Sequence, residues 1–380
     1  MMKNKLKIFY SSVFFQHLAY GIIIPTLIIW QNRNGLSFSQ IALIQSIGLV
    51  FLMLAEVPSS YFADKWGRKI TIILGLVSSL FAFSFLVSSK DFVGFLVFQS
   101  FFSIGLAMLS GTEEALLDDL VDNKKMLTHH LGSMSISDEL GTIVGLLISS
   151  IAIKYVDIIF SFQIGFLALL ISLLLICFIN TKKYSHKADL IDTQNAPTIL
   201  LFKKFGLTSL LLVIAFGLFS ERGEMLFQNQ FNLLDLNLEN LGIIYILGKM
   251  FSIFGSKLSH ILEVKLKTFS VLIFSATLQI MAFILLISES RIIAITALCI
   301  FFFSENIFRN VRSSFIIKNS PESQRATNLS LVSFGSSIIL IFSKLIVGWS
   351  IDQSILYAIA FVILLKISAI LILGSRKRAF

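Results

Sequence analysis

Tyr61-Phe62-Ala63-Asp64-Lys65-Trp66-Gly67-Arg68-Lys69 is a short charged turn set between two apolar runs. Upstream, Ile41 to Val57 is broken only by Gln45 and Glu56 among strongly polar residues. Downstream, Ile70 to Val87 carries no charge at all. Each flank is close to the about 20 apolar residues that take a helix across a bilayer. The turn therefore reads as a tight loop between two membrane spans.

Composition carries that reading to the rest of the chain. Of 380 residues, 56% are hydrophobic and 14% are charged, against roughly a quarter charged in soluble proteins. Phenylalanine alone contributes 38 residues, which suits a lipid-packed interior. The length accommodates twelve spans with short connections and leaves little for a soluble domain. A net charge of +9 does not point to nucleic acid, because the basic residues cluster at the ends of apolar runs. That placement is a topological signal. Cys177 and Cys299 both lie inside apolar runs, so neither a disulfide framework nor a metal-ligand spacing is expected. No cofactor is expected either. The N-terminus has the charge of a signal peptide, but Ile8 to Trp30 is too long for its apolar core and lacks a small-residue cleavage site. It is expected to be a retained first span.

Apolar runs place spans near residues 8–30, 40–62, 70–88, 92–116, 131–153 and 158–180. After the polar stretch Thr181 to Lys204, six more follow near 205–231, 240–259, 268–288, 291–315, 325–350 and 353–375. The expectation is an all-α membrane protein of twelve transmembrane helices in two six-helix bundles, 1–180 and 205–380. Residues 181–204 are the linker. Similar spacing in the two halves matches the parallel-repeat layout of some transporters. Arg33, Lys90, Lys154 and Arg291 fall in loops on one side, and six further basic residues fall within spans or at their edges. The other 21 of the 31 lie on the side of both termini and the linker. The positive-inside rule puts that side in the cytoplasm, with the chain spanning the cytoplasmic membrane.

At Asp64-Lys65-Trp66-Gly67-Arg68-Lys69 the chain resembles the major facilitator superfamily. The loop between spans two and three of that family reads as a small residue, three positions, then Asp-Arg/Lys-x-Gly-Arg-Lys/Arg. Ser60 stands here where Gly is usual. The resemblance implies a conformational latch. Asp64 faces the start of span eleven, here Ser320-Pro321-Glu322-Ser323, whose helix terminus favours a carboxylate. Gly67 allows the turn, and Arg68 pairs with an acid ending span four, here Asp118 or Asp119. Some marks of the family are absent. Span four has no central arginine, span five has Gly141, Gly145 and Ser149 without proline, and the loop after span eight has His260 where the motif repeat would have Asp. Near that loop, Glu263 is expected to pair with Arg309 or Arg312.

Ionisable residues inside a span are costly and default to functional candidates. Here they are His17, Glu56, Asp138, Glu139, Glu221, Arg222, Glu224, Lys249 and Glu305. The resemblance places spans one, four, seven and ten around a central cavity, which gives His17, Glu221, Glu224 and Glu305 access to it. Glu221 and Glu224 are three apart, so both can share one helix face. Lys249 could hold one of them ionised while the other, or Glu305, carries a proton. The alternative is a static, mutually neutralising cluster of Glu221, Arg222 and Lys249. Lys366 reads as structural or snorkelling, and Glu113 and Glu114 as gate or loop-pairing residues. Phe14, Phe15, Tyr20, Phe101, Phe102, Phe216, Phe219, Phe227 and Phe301 to Phe303 either line an apolar pocket or face lipid.

These features predict a secondary transporter working by alternating access, with a small molecule and protons as partners. It is expected to act as a monomer in the bilayer, without nucleic acid. Export of a drug, antibiotic or peptide-like metabolite is the first expectation, and uptake of a nutrient or siderophore-like solute the second. A non-transporting receptor or assembly factor on the same fold is the alternative of another class. No His-Glu-x-x-His, Gly-x-Ser-x-Gly, dinucleotide loop or ATP-binding P-loop occurs, so no enzymatic activity is expected.

Overall fold

A computed structural model describes residues 2–121, 126–179, 207–221, 223–318 and 325–376. Among them every regular element is a helix. They are α1 (Met2–Ile23), α2 (Leu27–Arg33), α3 (Phe38–Trp66), α4 (Arg68–Ser88), α5 (Phe92–Leu109), α6 (Thr112–Leu120), α7 (Leu127–Tyr155) and α8 (Ile158–Phe178). After the linker come α9 (Leu207–Phe219), α10 (Glu224–Leu233), α11 (Leu238–Lys265), α12 (Thr268–Leu285), α13 (Arg291–Lys318), α14 (Arg325–Gln353) and α15 (Ile355–Arg376). Ten helices among the described residues are long and apolar enough to cross a membrane, and eleven if the bent pair α1–α2 is one span. The predicted linker, the start of span eleven and Arg222 lie outside the described residues.

Three predicted spans are broken. Pro25 has no backbone N–H and cannot continue a helix, so α1 and α2 meet at a 42° bend. The predicted span at 92–116 splits at Gly111, whose φ of +71° ends α5 and starts α6. The span predicted at 205–231 splits at Gly223, with φ +63°. Positive φ is open to glycine and costly for residues with a Cβ.

Contacts divide the chain into two compact units. Unit 1 comprises Met1–Leu36, Ile47–Ile191 and Asn237–Ile243, and unit 2 comprises Ser37–Ser46, Asp192–Leu236 and Ile244–Phe380. In unit 1, α1 packs against α7 and α8, and α4 against α5 and α8. The small residues predicted in span five serve the α1–α7 contact. A Cβ on Gly141 would lie 2.3 Å from the Phe14 carbonyl oxygen, and one on Gly145 2.1 Å from that of Leu18. Ser12 of α1 and Ser172 of α8 exchange buried hydrogen bonds.

In unit 2, α9 packs on α14 and α15, and α12 on α13 and α15. Its core is built on Phe216, Phe219, Phe308 and Phe315, with Phe219 and Phe308 stacked at 4.2 Å. Phe227 and Phe301 are also buried, their rings 5.4 Å apart. Phe101 is instead 38% exposed. The aromatic positions read from the sequence as a possible pocket lining are thus divided between core and surface.

Lys366 takes the structural one of its two expected roles. It does not snorkel, being 0% exposed. Its ammonium donates to the carbonyls of Phe219, at 2.7 Å, and Glu221, at 2.8 Å, at the break between α9 and α10. It also sits 5.0 Å from the Phe219 ring centroid. A broken helix leaves carbonyls without intrahelical partners, and in a span water is not there to take them. Lys366 does. Changing Lys366 to Met should lower stability by about 2 kcal/mol, because two buried acceptors lose their donor. Thermal unfolding in detergent checks this, with the exposed Lys154→Met as the control expected to be near neutral.

Candidate functional site

In unit 1 the candidates come from three helices. α1 carries Gln16, His17 and Tyr20, and α7 runs beside it in the same direction. That close contact brings Asp138 to His17, with Nδ1 2.6 Å from Oδ1. The two side chains are 23% and 40% exposed, so protein does not fully enclose the pair. Glu113 is added by the break at Gly111. It lies in the first turn of α6, where the positive end of the helix dipole favours a carboxylate, and is only 7% exposed. Gln16 is its hydrogen-bonding partner, and His17, Glu114 and Asp138 are its ionisable neighbours. Tyr20 closes the group: its ring packs edge-on to His17 at 5.4 Å and to Phe102 at 5.2 Å. Its buried hydroxyl has Glu113 as its charged neighbour.

His17 and Asp138 were predicted as separate candidates, and here they meet. Glu113 was read as a gate or loop residue and instead belongs to this buried group. The signal was present: Gly111-Thr112-Glu113-Glu114 is a helix start inside an apolar run. Glu56 sits at an exposed position on α3, and Glu139 at a half-buried one on α7.

Unit 2 has its own group around the second break. Glu221 is 1% exposed. One of its carboxylate oxygens accepts from the Gly223 N–H at 3.0 Å, and the other has no hydrogen-bond partner among the described residues. Glu224 opens α10 at an exposed position. The pair therefore does not share one continuous helix face as expected, because the chain turns between them at Gly223. Glu224 and Gln228 are the polar neighbours of the Tyr245 hydroxyl. Lys249 is half-buried one turn further along α11. Glu305 on α13 accepts from the Gln279 amide at 3.0 Å. Further along α13, Arg309 donates to Asn306 at 2.6 Å. Glu263 accepts from Lys318 at 2.8 Å and from Ser314 at 3.1 Å, so Lys318 is a partner that sequence reading missed.

The opening loop is built as a turn held from one side. Gly67 has φ +101° between α3 and α4. Arg68 reaches α6, donating to Asp119 at 2.7 Å and to the Ala115 carbonyl. Asp118 is half-buried beside it. Lys69 donates to the Cys177 carbonyl at 2.8 Å. The Asp64 side chain lies outside the described residues.

No group of three or more metal-ligating side chains occurs among the described residues. What remains is a set of carboxylates, one imidazole and buried amides, of which Glu113, Glu221 and Glu224 lie at helix breaks. Such groups can bind polar atoms of a solute and can hold or release protons.

Known proteins agree with this architecture. An uncharacterised MFS-type transporter of Bacillus subtilis, YxaM, is 23% identical over 360 residues, covering 90% of this chain and 88% of that one. Among solved structures, a variant of the nucleoside transporter NupG superposes with a TM-score of 0.84 at 14% identity, covering 100% of both chains. A D-xylose–proton symporter gives 0.71 at 11% identity, covering 96% of each. The sequence profile of the Major Facilitator Superfamily matches residues 9–343, and the chain belongs to that superfamily of membrane transporters.

Proposed function

We propose that this transporter is a proton-coupled secondary carrier that moves a small molecule across the cytoplasmic membrane by alternating access. In this reading it is a monomer with both termini in the cytoplasm, and its twelve spans form bundles at 1–180 and 205–380. The observation that carries the proposal is the buried Glu113 and Gln16 beside the half-buried His17 and Asp138. A carboxylate kept from water inside a span is costly when ionised and unpaired. Protonation or an arriving solute relieves that cost, which ties proton occupancy to solute occupancy. Coupled groups of this kind share their protons as a set, so His17 and Asp138 act with Glu113. Glu221, Glu224 and Glu305 form the corresponding candidates in unit 2, with Lys249 and Arg222 as charge partners. Glu56 and Glu139 are secondary.

The cargo best supported is a hydrogen-bonding solute. Gln228, Asn229 and Gln230 form a buried polar run on α10, with Gln230 donating to the Ser288 carbonyl at 3.1 Å, and amide side chains carry both donors and acceptors that a polar solute can share. Structurally similar proteins such as a nucleoside transporter and a D-xylose–proton symporter carry solutes of this kind. The uptake of a nutrient fits that run. Export of an amphipathic compound, the first expectation from sequence, keeps one specific support. Aromatic rings border the acids in each unit: Tyr20 with Phe102, and Tyr245 with Phe302 at 6.0 Å.

Glu113→Gln should reduce pH-gradient-driven transport by about tenfold or more while leaving solute exchange without a gradient in place, since coupling and binding are separable free energies. Right-side-out and everted vesicles, assayed over a panel of nucleosides, sugars, peptides and cationic drugs, measure both transport direction and this loss. Glu221→Gln and Glu305→Gln form the parallel arm. Full gradient-driven transport in all three variants would remove the coupling assignment. For the loop, Asp64 and Arg68 with Asp118 or Asp119 serve as a latch rather than a solute site. Asp64→Asn should slow transport and leave solute affinity near that of the parent; a pure loss of affinity in equilibrium binding would contradict the latch.

A further inference from the structure

The start of α3 meets the end of α14 inside unit 2. The Asp352 carboxylate accepts from the Phe38 N–H at 2.7 Å and the Ser39 N–H at 2.8 Å. It also accepts from the Ser39 hydroxyl. These N–H groups belong to the first turn of α3, where a helix leaves its donors unmet and carries partial positive charge. Charge-assisted bonds of this sort are stronger than neutral ones.

α3 does not need Asp352 in order to start. Ser37 and Gln40 form a local capping box: the Ser37 N–H donates to the Gln40 amide oxygen at 3.0 Å, and the Gln40 N–H to the Ser37 hydroxyl at 3.2 Å. The contact from α14 is thus an addition to a helix start that already stands alone.

The seam continues along both helices, which run in opposite directions. A Cβ on Gly348 would lie 2.4 Å from the Ala42 Cβ and 2.5 Å from the Phe38 carbonyl oxygen, so only glycine fits there. Next, Lys344 donates to the Gln45 side chain at 2.8 Å, and the Ser46 hydroxyl donates to the Ile341 carbonyl at 3.2 Å. Ser39, Ala42, Gln45 and Ser46 share one face of α3 at helical spacing. Ile341, Lys344, Gly348 and Asp352 do the same on α14. The face is made of small and polar residues, and its outermost bonds are exposed to solvent. When it separates, water can take over each donor and acceptor there. A seam of large interlocked apolar side chains could not part so cheaply.

We propose that Asp352 is a reversible latch. It holds the first turn of α3 against α14 in the state seen here and releases it when the seam opens during the transport cycle. The proposal rests on the alternating-access reading above, which with both termini cytoplasmic puts this end of α3 outside the cell. The site is distinct from the Asp64 loop, which lies at the other end of α3.

The test is solvent access to the seam. In a chain with Cys177→Ser and Cys299→Ser, the buried Ser46→Cys serves as the reporter, labelled by a membrane-impermeant maleimide. Right-side-out and everted vesicles are run in parallel, so a wrong orientation shows as labelling from the other side and is not confused with a failed latch. Neither preparation needs a solute or a pH gradient, so the result is independent of the coupling assignment. Asp352→Ala should raise the labelling rate by about fivefold or more, the lower end of usual coupling between conformational states. Asp352→Asn, which keeps the shape and loses the charge, should give an intermediate rate. A rate within about twofold of the parent in both preparations would overturn the latch. If Asp352→Ala does not reach the membrane, Asp352→Asn decides by the same criterion.

Discussion

The constraint on which this structure depends is that backbone polar groups inside a bilayer must find partners within the protein. Continuous helices meet it automatically. The broken spans do not, and their breaks are where the chain spends its polar side chains. At the break after α9, Lys366 takes two carbonyls and Glu221 takes the Gly223 N–H. At the break after α5, Glu113 sits in the opening turn of α6. Glu221, which takes a backbone N–H at its break, is also one of the candidates for binding a solute or a proton. Structure and candidate function share their chemistry for that reason.

Burial also decides which charges matter. His17 and Asp138 are partly exposed at the protein surface, whereas Glu113 and Glu221 are buried within it. A partly exposed pair can exchange protons with water, and a buried carboxylate responds to what lies next to it. In unit 2, Lys366 is bound to carbonyls, so the ammonium is anchored at the helix break rather than free to follow a solute.

Much of the fold was legible in the sequence, because a bilayer makes apolar run length a strict signal. Helix α4 runs from Arg68 to Ser88 against an expected 70–88, and α8 from Ile158 to Phe178 against 158–180. Breaks were harder to read. Gly111 and Gly223 sit in runs whose hydropathy is unchanged by one glycine, yet the backbone turns there. Missing those turns misplaced Glu113 and put Glu221 and Glu224 on one helix face. For Lys366 the sequence left a structural and a snorkelling role open, because its partners are backbone carbonyls 145 and 147 residues away, which leave no mark in side-chain pattern. The Arg68–Asp119 contact could be anticipated because a short motif named both the base and the region of its acid. Asp352 carried no motif, and only the packing of α3 on α14 singles it out.

The central claim is that the buried carboxylate group of unit 1 binds protons in exchange with solute. The most direct measurement is proton release or uptake by the purified protein in weakly buffered detergent solution when a transported compound is added. The account predicts a pH change in step with solute binding for the parent chain, and its loss when Glu113→Gln is combined with Asp138→Asn. An undiminished proton signal in that double variant, with solute still bound, would contradict it.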